Sequence, residues 1–202
     1  MLRLILVRHG ETSWNEERRM QGGFSDVELN ERGRQQAASL ARALENEEIA
    51  AIYASPLSRA LDTARAIASR HRLEVEVDDD LREIDAGDVD GLSLDELRAE
   101  HGDFWQEWRQ GADTFRMPGG ESVEEVQDRA WRAIERIRQG TSQGTVVVVA
   151  HTFIVLTVIC RALGLSLTNI RRLRQDVGGI NILNFKQRGA SLAVLNDTCH
   201  LD

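Results

Sequence analysis

The sequence predicts an α/β fold, a three-layer αβα sandwich with a mostly parallel central sheet and a small helical cap. Short apolar runs alternate with amphipathic segments along the chain, the pattern of strands that alternate with covering helices. Two of these runs, Leu2 to Val7 and Thr145 to Ala150, are almost entirely apolar, as strands buried on both faces of a parallel sheet are. The 202 residues are 42% hydrophobic, which is enough for one sizeable core. We therefore expect a single domain over residues 1–202.

The first half of the chain predicts three strands separated by two helices. Leu2 to Val7 is a short apolar run with the character of a buried strand. The segment from Asn30 to Leu44 carries apolar residues at helical spacing, so one stripe packs on the sheet. Ala51 to Ala54 is a second strand, and Ser55-Pro56 predicts the helix that follows, with serine as N-cap and proline at the first position. Leu73 to Val77 alternates apolar and acidic residues, as an edge strand does.

The second half begins with a loop and then predicts helices and three further strands. Asp78 to Gly91 is acidic and glycine-bearing, so we expect mostly loop. Capping boxes at Ser93 and Ser122 each open a helix. The most apolar strand, the helix after it and the two final strands are predicted at Thr145 to Ala150, Thr152 to Leu163, Ile180 to Phe185 and Ser191 to Leu195. Because Thr145 to Ala150 is so apolar, it should be the central strand.

Four large apolar residues between the two capping boxes leave two interpretations open. Trp105, Trp108, Phe115 and Met117 could line a substrate entrance, or they could form the small core of the helical cap.

The charge balance argues against several classes of partner. There are 25 basic and 33 acidic residues, giving a net charge of −8, and such a surface repels nucleic acid and anionic membranes. No run approaches the roughly 18 apolar residues of a membrane span, and residues 1–9 do not resemble a signal peptide. The two cysteines lack CxxC spacing. We expect a cytoplasmic protein with a small-molecule partner, and a homodimer stays open.

Polar residues with catalytic potential follow three of the predicted strands. Arg8 and His9 come after the first strand, Arg59 shortly after the second, and His151 after the central strand. Ligands bind beyond the carboxyl ends of parallel strands, so we expect two histidines and two arginines to meet at one sheet edge. Glu83 lies shortly after the third strand and could reach the same edge; Asp85, Asp88 and Glu11 compete with it for the role of acid.

This set of side chains fits phosphoryl transfer. Two guanidinium groups bind the oxygens of a phosphate monoester in planar, bidentate fashion. A neutral imidazole can attack phosphorus, and a second imidazole can donate to the oxygens on which charge accumulates. A carboxylic acid protonates the leaving alkoxide. Arg59 also lies in the first turn of its predicted helix, where the helix dipole disfavours a cation unless an anion binds there.

The motifs together resemble a known family. Arg8-His9-Gly10-Glu11-Thr12 with Asn15, Ser55-Pro56-Leu57-Ser58-Arg59-Ala60 with Thr63-Ala64, Glu83, and a strand leading into His151 are similar to the phosphoglycerate mutase-like branch of the histidine phosphatase superfamily. The resemblance runs from Leu4 to about Leu201. It implies His9 as the phosphorylated nucleophile and Glu83 as the proton donor. It also implies a phosphate pocket formed by Arg8, Arg59 and His151, with Asn15 assisting, and it implies neither a metal nor a cofactor.

Two stretches favour the small phosphatases of this family. Gly119-Gly120-Glu121-Ser122 looks like these enzymes, and the chain from His151 to Leu201 looks most like metal-independent phosphoserine phosphatases. Ala86 stands where the phosphoserine enzymes carry a histidine. We expect a phosphatase of small phosphorylated metabolites, with phosphoserine, phosphoglycerate and α-ribazole phosphate as leading substrates. The alternatives are a cofactor-dependent phosphoglycerate mutase and a non-catalytic sensor of phosphorylated ligands.

Overall fold

One six-stranded sheet organises the chain. A computed structural model describes residues 1–110, 115–187 and 189–201. Its strands are β1 (Leu2–Arg8), β2 (Ile49–Ala54), β3 (Val75–Val77), β4 (Gly144–Ala150), β5 (Ile180–Lys186) and β6 (Gly189–Asp197). Their order across the sheet is β3-β2-β4-β1-β5-β6. The pairings among β1 to β4 are parallel, and those of β5 with β1 and β6 are antiparallel. The predicted, mostly parallel sheet is confirmed, with β4 inside it and β3 at its edge.

Helices cover both faces of the sheet. They are α1 (Ser13–Glu16), α2 (Glu31–Ala43), α3 (Ser58–His71), α4 (Leu94–Glu100), α5 (Gly102–Gln110), α6 (Val123–Gly140) and α7 (Thr152–Leu163). Successive strand residues point to opposite faces. In β4, Val146 and Val148 pack in the core that includes α6 and α7, whereas Val147 and Val149 pack in the core that includes α2 and α3. This double burial explains why β4 is continuously apolar rather than alternating.

The helix after β2 begins later than predicted. Serine and proline at 55 and 56 precede the helix, and α3 starts at Ser58 with Leu57 as the N-cap residue. The side chain of Leu57 makes no capping hydrogen bond. Instead, Asp26 from a distant loop accepts hydrogen bonds from the Ser58 N–H and hydroxyl, each at 2.7 Å. Ser55 is thereby free to contact the second histidine.

The aromatic residues of the cap form a core rather than a substrate entrance. Phe115 packs against Phe104 and Trp108 with ring centroids 4.9 and 4.5 Å apart. Trp108 in turn lies 5.8 Å from Phe153 of α7, and Met117 is completely buried. These contacts fix α5 onto the sheet layer. Within the described residues, no helix is long and apolar enough to cross a membrane.

Candidate active site

Adjacent strands place the two histidines side by side. Arg8, the last residue of β1, pairs with Ala150, the last residue of β4. The next residues, His9 and His151, therefore leave the sheet together, and the His9 N–H donates to the Ala150 carbonyl at 3.1 Å. The two ring centroids are 5.0 Å apart. As predicted, the two histidines lie next to each other at one edge of the sheet.

One hydrogen bond defines the tautomer of His9. The Nδ1 atom lies 2.7 Å from the Gly10 carbonyl oxygen, and because a carbonyl only accepts, Nδ1 carries the proton. The lone pair of a neutral ring is then on Nε2. Burial, with the nearby charges of Arg59 and Arg8, lowers the pKa of His9 well below its ordinary value. The ring is consequently neutral and nucleophilic at neutral pH.

In His151 it is the other ring nitrogen, Nε2, that has a partner in the protein. Its Nε2 lies 2.8 Å from the Ser55 hydroxyl oxygen, which itself accepts the Leu57 N–H at 3.3 Å. Burial, followed by the charge of Arg59, holds the pKa of His151 well below its usual range. When the hydroxyl donates to Nε2, the neutral ring carries its proton on Nδ1, which is then a donor for a ligand. This Nδ1 is buried and has no hydrogen-bond partner within the described residues.

The two arginines add further buried donors. Arg59 is fully buried, and its Nη atoms donate to the carbonyls of Ser25 (2.8 Å) and Gly22 (3.1 Å). Arg8 Nη1 donates to the Gln175 carbonyl at 2.8 Å. Burial lowers the pKa of Arg59 to about 10, which leaves it cationic. The Nε atoms of both arginines are buried without a partner in the described part of the chain.

The unpaired Nε atoms of Arg8 and Arg59 and the Nδ1 atom of His151 belong to one cluster, because the charges of both arginines act on both histidines. A buried donor without a partner costs about 1–3 kcal/mol. An oxyanion could satisfy Arg8 Nε, Arg59 Nε and His151 Nδ1 at once, whereas an apolar ligand would satisfy none of them. The arrangement therefore suits a phosphate-sized anion.

Glu83 is the acidic side chain best placed for proton transfer. The residue is 6% exposed, and its carboxylate accepts the Ile84 N–H at 2.9 Å and the Phe153 N–H at 3.2 and 3.3 Å. Burial raises its pKa above the ordinary value, although these N–H groups and the two arginines oppose the shift. Glu83 lines the same cavity as His9.

The competing acids are placed less favourably. Asp85 accepts the Gly87 N–H at 2.9 Å, and neither Asp85 nor Asp88 lines the cavity. Glu11 does line it, but its carboxylate is held by Asn30 at 3.0 Å and lies 3.8 Å from Arg32. Glu83 thus stays the acid that the geometry favours.

A partly buried ion pair that the sequence pattern did not reveal holds the Glu83 segment. Arg129 of α6 binds both carboxylate oxygens of Glu121 at 2.9 Å. Its remaining donors reach the carbonyls of Asp80, Arg82 and Glu83 at 2.6–2.9 Å. Because these partners are 8 to 49 residues away in sequence, no local motif predicts the contact.

Gln21 is a second polar residue that sequence reasoning missed. Its Oε1 accepts from Thr12 Oγ1 (3.1 Å) and from Asn15 Nδ2 (3.4 Å), while its Nε2 is buried with no partner within the described residues. Asn15 also accepts the Thr12 N–H at 3.1 Å as part of the capping box of α1. The available signal was this T-x-x-N box, which positions both amides at the cavity.

The cavity beside His9 has a volume of about 450 Å³, within the range of small-molecule sites. Arg8, His9, Asn15 and Glu83 line it, whereas Arg59 and His151 are fully buried and do not line it. The outer wall contains both charged and apolar residues: Arg18, Arg19, Met20, Leu92, Leu94, Leu97, Phe153 and Asp176.

In the part of the chain that the structure covers, no group of three or more His, Cys, Asp or Glu side chains could hold a metal ion.

Comparisons with known proteins identify the family of this chain. The family model described as "Histidine phosphatase superfamily (branch 1)" matches residues 4–198. Phosphoserine phosphatase 1 of Hydrogenobacter thermophilus is 36% identical over 201 residues, covering 100% of this chain and 95% of that protein. The chain belongs to branch 1 of the histidine phosphatase superfamily, as the motifs at Arg8-His9 and His151 indicated.

Solved structures share the whole fold. Bacillus stearothermophilus YhfR superposes with a TM-score of 0.92 at 32% identity over 100% of both chains. A variant of Entamoeba histolytica phosphoserine phosphatase in complex with phosphoserine gives a TM-score of 0.89 at 30% identity, also over 100% of both chains. The predicted likeness to small phosphatases of this family is confirmed.

Proposed function

We propose that this protein hydrolyses small phosphorylated metabolites through a phosphohistidine on His9. The observation that carries the proposal is the neutral His9 ring, with its free Nε2, beside three buried and unpaired donors. A phosphoryl group bound by Arg8, Arg59 and His151 would place phosphorus next to that nitrogen.

The reaction proceeds in two balanced steps. His9 Nε2 attacks phosphorus, the ester P–O bond breaks, and protonated Glu83 gives its proton to the leaving alkoxide. Water then attacks the phosphohistidine, Glu83 takes a proton from that water, and the P–N bond breaks to release inorganic phosphate. Asn15 and Gln21 contribute amide contacts at the cavity wall.

Hydrolysis is favoured over phosphoryl transfer between substrates. The chain lacks the longer insertions of the glycolytic mutases, and it is 36% identical to a relative named phosphoserine phosphatase but 32% identical to relatives named probable phosphoglycerate mutase. A phosphoglycerate mutase would return its phosphoryl group to an organic acceptor. Stoichiometric release of labelled inorganic phosphate from the phosphoenzyme supports the phosphatase, and transfer to glycerate supports the mutase.

A sensor without catalysis is a weaker alternative, because all five residues Arg8, His9, Arg59, Glu83 and His151 are present. The leading substrate classes are phosphoserine, phosphoglycerate and α-ribazole phosphate. A phosphate-release screen across such metabolites with EDTA present identifies the substrate and tests the predicted metal independence together.

The decisive variant is His9→Ala. It removes the nucleophile, and in a serine protease the equivalent loss lowers kcat by about 10⁶. We expect several orders of magnitude less turnover, and no acid-labile phosphoenzyme after incubation with labelled substrate. His71→Ala, at the far end of α3, is the matched control and keeps both signals. Near wild-type turnover by His9→Ala would contradict the covalent mechanism.

A further inference from the structure

Arg18 occupies a backbone position where glycine is the usual residue. It follows the C-terminus of α1 with φ of 55°. The Arg18 N–H donates to the Asn15 carbonyl at 3.2 Å and the Arg19 N–H to the Trp14 carbonyl at 2.8 Å, the two bonds of a Schellman motif. An arginine is uncommon in this left-handed conformation. The turn aligns Arg18 with the cavity that contains His9.

The side chain of Arg18 is exposed, lines that cavity, and has no hydrogen bond or ion pair within the described residues. The neighbouring Arg19 differs in this respect. Its guanidinium binds Glu17 at 2.7 Å, the Gly91 carbonyl at 2.9 Å and Glu96 at 3.2 Å. Arg19 therefore serves the structure of the cavity wall, while Arg18 is available to a ligand.

The two acidic residues Asp176 and Glu11, which also line the cavity, already have partners. Asp176 is bound by Arg174 at 2.8 Å and by Asn196 at 2.8 Å, and Glu11 is bound by Asn30 at 3.0 Å. The wall also contains Met20, Leu92 and Leu97, which offer no charge. With Arg8 assigned to the phosphate and Arg19 bound to its protein partners, Arg18 is the arginine among the described lining residues that stays available to a second anionic group of a substrate.

We propose that Arg18 selects phosphomonoesters that carry a carboxylate on their carbon chain. The proposal rests on the phosphatase function given above, and it deepens that function by naming the substrate class. A guanidinium fork matches a carboxylate in a planar, bidentate arrangement. It favours phosphoserine or phosphoglycerate over α-ribazole phosphate, which has no carboxylate. Because Arg18 is exposed, solvent screening keeps the effect moderate.

The test compares two substrates that differ only in this group. In 3-phosphoglycerate a carboxylate stands where glycerol 3-phosphate has a CH₂OH. We expect wild-type kcat/KM to favour 3-phosphoglycerate, and Arg18→Gly to reduce that ratio about three- to tenfold, mainly because the carboxylate-bearing ester acquires a higher KM. Arg18→Lys keeps the positive charge and retains part of the preference.

Arg72 provides a matched control. It is an exposed arginine at the C-terminus of α3 with φ of 56° and does not line the cavity. Arg72→Gly and Arg18→Gly each place glycine in a left-handed backbone conformation that glycine adopts without strain, so neither should lower Tm. Only Arg18→Gly should change the substrate ratio.

The outcomes separate the two proposals. A wild-type enzyme without preference for 3-phosphoglycerate, an unchanged ratio in Arg18→Gly, or an equal fall on both substrates would overturn the role of Arg18. Hydrolysis of p-nitrophenyl phosphate is measured alongside. If the wild-type protein releases phosphate from none of the three compounds, the phosphatase proposal itself fails.

Discussion

At the scale of single residues, burial acts on His9 and Glu83 in opposite directions. A low-dielectric site disfavours the charged form of any group. It therefore lowers the pKa of His9, which becomes charged on protonation, and raises the pKa of Glu83, which becomes charged on proton loss. Both pKa values are therefore shifted in the direction that the proposed first step requires, toward a neutral imidazole at His9 and a protonated carboxyl at Glu83.

Glu83→Gln should slow the hydrolysis of esters with poor leaving groups more than that of esters with good leaving groups. An alkyl phosphate needs the proton, so we expect a loss of about 10²–10⁴; p-nitrophenolate leaves without it and should lose less than tenfold. The wild-type alkyl-ester rate falls as pH rises through the raised pKa of Glu83, and this limb disappears in the variant. Steady-state rates across pH measure both effects.

Asp85→Asn and Asp88→Asn are the controls for that experiment, because both carboxylates lie outside the cavity. They should keep the wild-type dependence on the leaving group. Equal slowing of alkyl and aryl esters by Glu83→Gln would remove Glu83 from the role of acid.

At the scale of elements, α6 holds the segment that carries Glu83. The guanidinium of Arg129 joins the Glu121 carboxylate to three carbonyls of residues 80–83. Glu121 additionally accepts the Asp85 N–H at 2.8 Å. The position of the proposed acid thus depends on a helix whose sequence contains none of the proposed catalytic residues. Arg129 is in this sense a positioning residue.

Arg129→Ala should displace Glu83 and therefore cause the same dependence of the rate on the leaving group as Glu83→Gln, but to a smaller extent. We expect a loss of about 1–3 kcal/mol of unfolding free energy from broken charged hydrogen bonds. Activity on alkyl phosphates should fall more than activity on p-nitrophenyl phosphate. Arg132→Ala, with one 3.3 Å contact to Asp80 from the same helix, is the control. If Arg129→Ala lowers stability and slows the hydrolysis of both esters equally, the role of Arg129 is purely structural.

At the scale of the whole molecule, the protein has a net charge of −8, yet arginines lie at the candidate site. Many arginines form ion pairs with acidic groups at the surface, where each pair contributes little to stability. Arg59, by contrast, is bound by carbonyls and surrounded by protein. A negative net charge is therefore compatible with a locally cationic site.

Orthophosphate or vanadate should consequently raise the thermal stability. Ligand at about 100 times its Kd adds about 2.7 kcal/mol, and at this chain length each kcal/mol shifts Tm by roughly 2–4 °C. We expect a shift of roughly 5–10 °C in differential scanning fluorimetry. Sodium chloride at matched ionic strength is the control, and Arg59→Lys, which lacks the planar fork, should reduce the shift. An identical shift with chloride would contradict specific binding.

The location of the site was predictable for a simple geometric reason. Parallel strands end at the same edge, so residues that follow separate strands meet there. This rule brought together His9, His151 and Arg59 although they are far apart in sequence. The predicted start of α3 was wrong by a few residues, because its capping carboxylate comes from Asp26 in a distant loop.

The sequence by itself determined the α/β class, the strand that lies at the centre, the candidate nucleophile and the family, because periodicity and strand-end motifs are local properties of the chain. Tertiary structure alone decided the tautomer of His9, the clamp of Arg129 on the Glu83 segment, and the unpaired state of Arg18 among the described residues. Each of these depends on hydrogen bonds, or on their absence, between groups that only the folded chain brings within about 3 Å of one another.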